Sequence, residues 1–196
     1  MPPGHERKTA HGAVREVLKM KQRTEPYAPR ERKTKTAGEA LSALMRYAAR
    51  AERSSGDALR LMHRWGVPEP ERAAVLERLV SAGFIDDARF AAAYVREKAA
   101  LAGWGVHKVR AGLRAKGISA EAAERAIARE YAAEEMKGRL EELLARKLRS
   151  LSGGTKYEVK GKLVRFGLSR GYDYDAVLEA ASRLVAGLPS DGDDDE

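Results

Sequence analysis

The chain has 196 residues, of which 43% are hydrophobic and 34% charged, with no cysteine and a formal charge of +8. The missing cysteine excludes disulfides, thiolate catalysis and cysteine-ligated metals, and no apolar run approaches the roughly 18 residues that cross a bilayer. Alanine, leucine, arginine and glutamate dominate, aromatics are only 6%, and no alternating β-branched run is bounded by tight-turn dipeptides; both features favour an all-α fold.

Residues 1–36 hold ten Lys/Arg against four acids and few large apolar residues, interrupted by "MPPG" and "EPYAP". Such a segment cannot bury enough surface to offset its ordering entropy and is expected to be a disordered basic arm. It lacks the apolar core of a secretory signal, so a cytoplasmic protein is expected. The tail 188–196 ends in "DGDDDE", five acids in six residues, and reads as solvated and acidic. A surplus of six at one end and a deficit of five at the other leave the middle at +7, so the folded part is itself basic and suited to polyanions or acidic surfaces.

From residue 37 helix signals recur in order. "TAGE" sets Thr36 three residues before Glu39, a capping box, and "TKYE" repeats it at Thr155 and Glu158. Ser119 heads "AEAAERAI" in the same way. In "GFIDDARFAAAY" (83–94), Gly83 suits a left-handed helix end, Asp86 an N-cap, and Asp87 the positive end of the new helix dipole, with Ile85 and Phe90 spaced as a hydrophobic staple. Paired carboxylates can also hold a metal or work as acid and base, but every residue in this phrase has a structural role and no converging ligands are evident. The aspartates are read as helix punctuation.

A threefold repeat organises the rest. "DALRLMHRWGV" (57–67), "HKVRAGLRAKGI" (107–118) and "GKLVRFGLSRGY" (161–172) align on Gly66, Gly117 and Gly171, spaced by 51 and 54 residues. Each glycine ends a basic helix and precedes one large residue, Val67, Ile118 or Tyr172. A longer helix comes before, over about 37–52, 87–101 and 134–149, and another follows with Val75/Leu76, Ala126/Ile127 or Val177/Leu178. The expectation is an elongated array of three tandem three-helix repeats at 37–83, 84–133 and 134–187. Two-helix tetratricopeptide or HEAT arrays have shorter periods and fit poorly.

With "GFIDDARFAAAYV", "GWGVHKVRAGLRAKGI" and "GKLVRFGLSRGYDYDAVLEA" in place, the sequence resembles the RecX family of recombination regulators over residues 38–187. The resemblance implies a curved, all-helical body without catalysis or cofactor. It implies that the protein lies in the groove of the RecA–DNA filament, bridges protomers, and lowers ATPase, strand-exchange and co-protease activities in DNA repair, homologous recombination and the SOS response. The third unit departs from the second, with two glycines before its basic helix and Gly167 where the second has Leu113; looser packing of the last unit is expected.

The second helix of each unit is the candidate contact surface. In unit two, Val106, Val109 and Leu113 face the core while Lys108, Arg110, Arg114 and Lys116 intervene. In unit three, Val159, Leu163 and Phe166 form the stripe, with Lys156, Lys160, Lys162 and Arg165 among them. The bland alternative is a solvated charged face. Trp104, between two glycines, is a candidate anchor for a partner or a cap on the core, and Trp65 is read as core. His5, His11, His63 and His107 have no metal-ligand spacing, and neither a Walker lysine nor a nucleophile elbow occurs. The partners expected are the RecA filament and single- and double-stranded DNA without sequence preference, with no membrane, and the protein acting as a monomer. The alternative function is a general helical nucleic-acid-binding module acting on DNA directly.

Overall fold

The computed structural model describes residues 34–131 and 133–189, so most of the basic arm and of the acidic tail lie outside the described residues. The described residues form nine helices and no strand: α1 (Ala37–Ala48), α2 (Ser55–Arg64), α3 (Glu69–Ser81), α4 (Asp87–Ala100), α5 (Val106–Ala115), α6 (Ala120–Glu130), α7 (Ala133–Arg149), α8 (Lys156–Ser169) and α9 (Tyr174–Ala186). Six of the nine starts carry a side-chain cap. Thr36 and Thr155 make complete capping boxes with Glu39 and Glu158, and Ser54, Asp86, Ser119 and Asp173 cap α2, α4, α6 and α9. The stops at Gly66, Gly83, Gly117 and Gly171 are left-handed, with φ of 71°, 72°, 81° and 84°, a region where an L side chain costs about 1–2 kcal/mol.

Three apolar cores follow the chain. The first gathers Leu44, Met62, Val67 and Leu79 from α1–α3, the second Phe90, Val95, Val109 and Leu113 from α4–α6, and the third Leu140, Leu144, Leu163 and Val177 from α7–α9. The residues after the three repeat glycines, Val67, Ile118 and Tyr172, are all buried. In the third unit the expectation of loose packing fails. Gly167 is buried, and a methyl group there would lie 2.7 Å from Val177 Cγ1. The missing side chain therefore lets α9 close on α8 rather than leaving a gap.

Two local expectations are corrected. α1 ends at Ala48, not near 52. Beyond it, the Arg53 guanidinium lies 3.8 Å from the Tyr47 ring centroid, Glu52 accepts a 2.6 Å hydrogen bond from Arg89, and Ser54 turns out to cap α2; a longer α1 would forfeit all three. Ile85 and Phe90 also make no staple: Ile85 belongs to the first core and Phe90 to the second.

Asp86 Oδ1 accepts from the backbone N–H of Ala88 and Arg89, both at 2.9 Å, as an N-cap should. Asp87 does more than sit in the helix field. Its Oδ1 accepts a 2.8 Å bond from the N–H of Ser55 and so closes an orphan donor at the start of α2, in the previous unit. Asp86→Asn keeps an acceptor and should leave the urea midpoint nearly unchanged, whereas Asp86→Ala should cost about 1 kcal/mol.

Neighbouring units meet through their second helices, head to tail. At the joint between units two and three, the N–H of Gly105 donates to Arg170 O at 2.8 Å and that of His107 to Gly171 O at 3.1 Å. At the joint between units one and two, Ser54 Oγ donates to Lys116 O at 2.7 Å, and Lys116 Nζ pairs with Asp57 at 3.2 Å. The free carbonyls ending one helix thus meet the donors starting another. At the far end of the row, the N–H of Lys35 donates to Trp65 O at 2.8 Å. α2 and α5 begin 12 residues before their stop glycines, from caps Ser54 and Gly105, but α8 begins 16 before, from Thr155. The extra turn in α8 projects past the position at which the other two dock.

Burial alone would raise the Asp57 carboxyl, but hydrogen bonds from Arg60 and Lys116 outweigh it and hold it below the usual carboxylate range. A depressed carboxyl stabilises the fold above its unfolded value and loses that contribution as pH falls through the lowered one. Wild type should therefore lose more urea resistance between pH 7 and pH 3 than Asp57→Asn, a difference that paired denaturation curves will measure.

Candidate interaction surface

The expected contact residues fall on two faces with different electrostatics. On α5 the charges are largely committed. Lys108 Nζ donates to Ser169 O at 3.0 Å, across the joint, and stands 4.9 Å from the Trp104 ring centroid. Arg110 grips Glu124, with Nη2 at 2.9 Å from Oε2, and that hydrogen bond is the main reason the Glu124 carboxyl titrates low. Lys116 is tied to Asp57. Of the four, Arg114 alone is exposed and has no partner among the described residues.

Trp104 is not a free loop anchor. Its ring is half-buried against the second core, its backbone N–H donates to Lys98 O at 3.0 Å, and its backbone carbonyl accepts from the Tyr131 hydroxyl at 2.9 Å. Lys98 and Lys108 both stand over the ring, a cation–π arrangement that fixes it. Trp65 packs on the first core in a similar half-buried way, with Lys35 over it.

The α8 face is open. Lys160, Lys162 and Arg165 make no ion pair among the described residues, while Lys156 is partly covered and engaged. Lys160, Lys162 and Arg165 line a shallow cavity of about 680 Å³ together with Tyr157 and Tyr174, which are 87% and 55% exposed. The one acid in the lining, Glu158, is occupied by its capping box, accepting from the N–H of Thr155 at 3.1 Å. Charge at this spacing beside two accessible rings matches the chemistry of a single nucleic-acid strand, in which phosphates meet cations and bases stack on aromatics. Sequence reasoning picked out the lysines but missed both tyrosines; for Tyr157 the signal is that it lies off the Val159–Leu163–Phe166 core stripe, while Tyr174 is brought to the face from the start of α9 by the fold.

Among the described residues no cluster of three or more His, Cys, Asp or Glu could hold a metal, and no helix is long and apolar enough to cross a membrane. His107 pairs loosely with Asp173 at 3.8 Å, both well exposed.

Comparison with known proteins places this geometry. Residues 86–127 match the model for the second three-helix domain of RecX, and residues 134–180 that for the third. A Mycobacterium sp. (strain KMS) protein named regulatory protein RecX is 34% identical over 126 residues, covering 62% of this chain and 68% of the relative. The protein of the same name from Mycolicibacterium vanbaalenii is 29% identical over 165 residues, 81% of this chain and 89% of its own. The crystal structure of RecX from Lactobacillus salivarius superposes with a TM-score of 0.67 over 78% of this chain and 97% of that one, and a second regulatory protein RecX reaches 0.69 over 75% and 73%. At 18% and 22% identity these two attest the fold. By its matched domains and by relatives it shares over two thirds of their length, the chain belongs to the RecX family of regulatory proteins.

Proposed function

We propose that this protein is a non-enzymatic cytoplasmic regulator that binds the RecA–DNA filament in its groove and inhibits RecA's ATPase, strand-exchange and co-protease activities, in DNA repair and the SOS response. The observation that carries the reading is the α8 face: three cations without ion pairs among the described residues, beside two exposed tyrosines, on a row of units joined head to tail. A row of small units presents a long surface, which suits an extended partner better than a small ligand. Lys160, Lys162 and Arg165, with Arg114 on the second unit, are assigned to phosphates of the filament's DNA. Lys108, Arg110, Lys116 and Trp104 are assigned to keeping that surface in shape. Lys156 extends the same face.

Inhibition on this reading is geometric: one molecule spans neighbouring protomers, fixes their orientation and obstructs growth. Titrating the protein into RecA hydrolysing ATP on single-stranded DNA should abolish hydrolysis below one molecule per protomer. Unchanged hydrolysis, together with tight binding to naked DNA that collapses between low and moderate salt, would instead favour a general nucleic-acid module.

A further inference from the structure

We infer that a second, concave site at the joint between units two and three binds a phosphodiester of a nucleic-acid strand. Its wall is a cavity of about 800 Å³ between the α4–α5 loop and helices α7 and α8, lined by Arg139, Arg146, Lys147 and Arg170 against a single carboxylate, Glu142. Residues distant in sequence converge here, so no charge run announces the site.

Three of the four cations are held by neighbouring groups. The Phe166 ring carries Lys147 Nζ at 5.6 Å and the Arg170 guanidinium at 5.0 Å from its centroid, and Arg170 also donates to Ala102 O at 3.4 Å. Arg139 shares its charge with Glu135 at 3.1 Å, and Arg146 is exposed with no ion pair among the described residues. Burial pushes the Tyr172 phenol up, while the positive charges of Arg139, Arg146 and Arg170 pull it down. Planar guanidinium forks suit a phosphate's oxygens. Leu101, also in the lining, is 85% exposed.

A nucleic acid is favoured over an acidic protein because the cavity continues the α8 groove. Lys162 lines the groove, and Phe166 and Arg170, one and two turns on, line the cavity. One helix therefore leads a strand from stacking tyrosines to guanidiniums. The inference rests on the partner's carrying nucleic acid, and its test uses naked DNA so that the two stand or fall separately.

The experiment is fluorescence anisotropy of a labelled 20-nucleotide oligothymidylate titrated with the full chain, with helicity checked by circular dichroism. Arg146→Glu should weaken binding roughly tenfold, as expected for losing one charge-assisted contact, and should flatten the log–log salt slope by roughly 0.7. Arg149→Glu alters the same net charge from the same helix outside the cavity, and should change affinity less than about twofold. Wild-type affinity in Arg146→Glu, or equal losses in both variants, overturns the site. So does an Arg146→Glu protein that keeps its oligonucleotide affinity but no longer inhibits RecA, since the cavity would then meet an acidic protein surface.

Discussion

Gly171→Ala is expected to destabilise the protein by about 3 kcal/mol, the sum of a left-handed residue gaining a side chain and of overpacking at a rigid contact. An added methyl group would lie 2.4 Å from Lys108 Cβ and 2.5 Å from its backbone nitrogen. Neither can retreat without breaking the bonds from Gly105 and His107 that hold the joint. Because units in such a row are stabilised by their neighbours, the third unit should melt apart from the first two, and a single urea transition followed by circular dichroism should split. Gly138→Ala is the control. Gly138 lies within α7 with nothing within 4 Å of a new methyl group, so alanine there should add about 0.5–1 kcal/mol. Equal responses of the two variants would mean that the joint is not tight.

The second large effect concerns binding. Replacing Lys160, Lys162 and Arg165 together with alanine should weaken oligothymidylate affinity roughly a hundredfold, at about 1 kcal/mol per phosphate contact. The salt slope should flatten by roughly 2, and inhibition of RecA ATP hydrolysis should disappear with it. The Arg110→Ala and Lys116→Ala double variant removes charge as well, yet those side chains already serve Glu124 and Asp57. Its affinity should fall by no more than about threefold, with the larger loss appearing in thermal stability. If the double variant binds as poorly as the triple one, net charge rather than the open α8 face governs binding.

The backbone punctuation was legible because its causes are local. A capping box needs only Thr and Glu three apart, and a left-handed stop needs a glycine, so helix ends at Thr36, Gly66, Gly117 and Thr155 could be placed from one line of text. The end of α1 could not, because it is set by Tyr47 under Arg53 and by Arg89 reaching Glu52 from 37 residues away. The same limit separates the two basic faces. Lys108, Arg110, Lys162 and Arg165 look alike in sequence, and only the fold brings Ser169 and Glu124 to the first two. The cavity behind Phe166 lay further out of reach, since its four cations are spread over 32 residues, three on α7 and one at the C-cap of α8. Gly167 misled for a related reason: a hole in one helix is filled from another, by Val177.

The extra turn at the head of α8 sets the capacity of the row. Two of its three second helices start flush with their docking partners, and the third carries four residues and a capping box past that plane. At the opposite end Lys35 already occupies the Trp65 carbonyl. Both faces through which the row could propagate are therefore plugged, one by a protrusion and one by a strap. The contact that joins the units within the molecule is therefore not repeated in the same form at either end of the row.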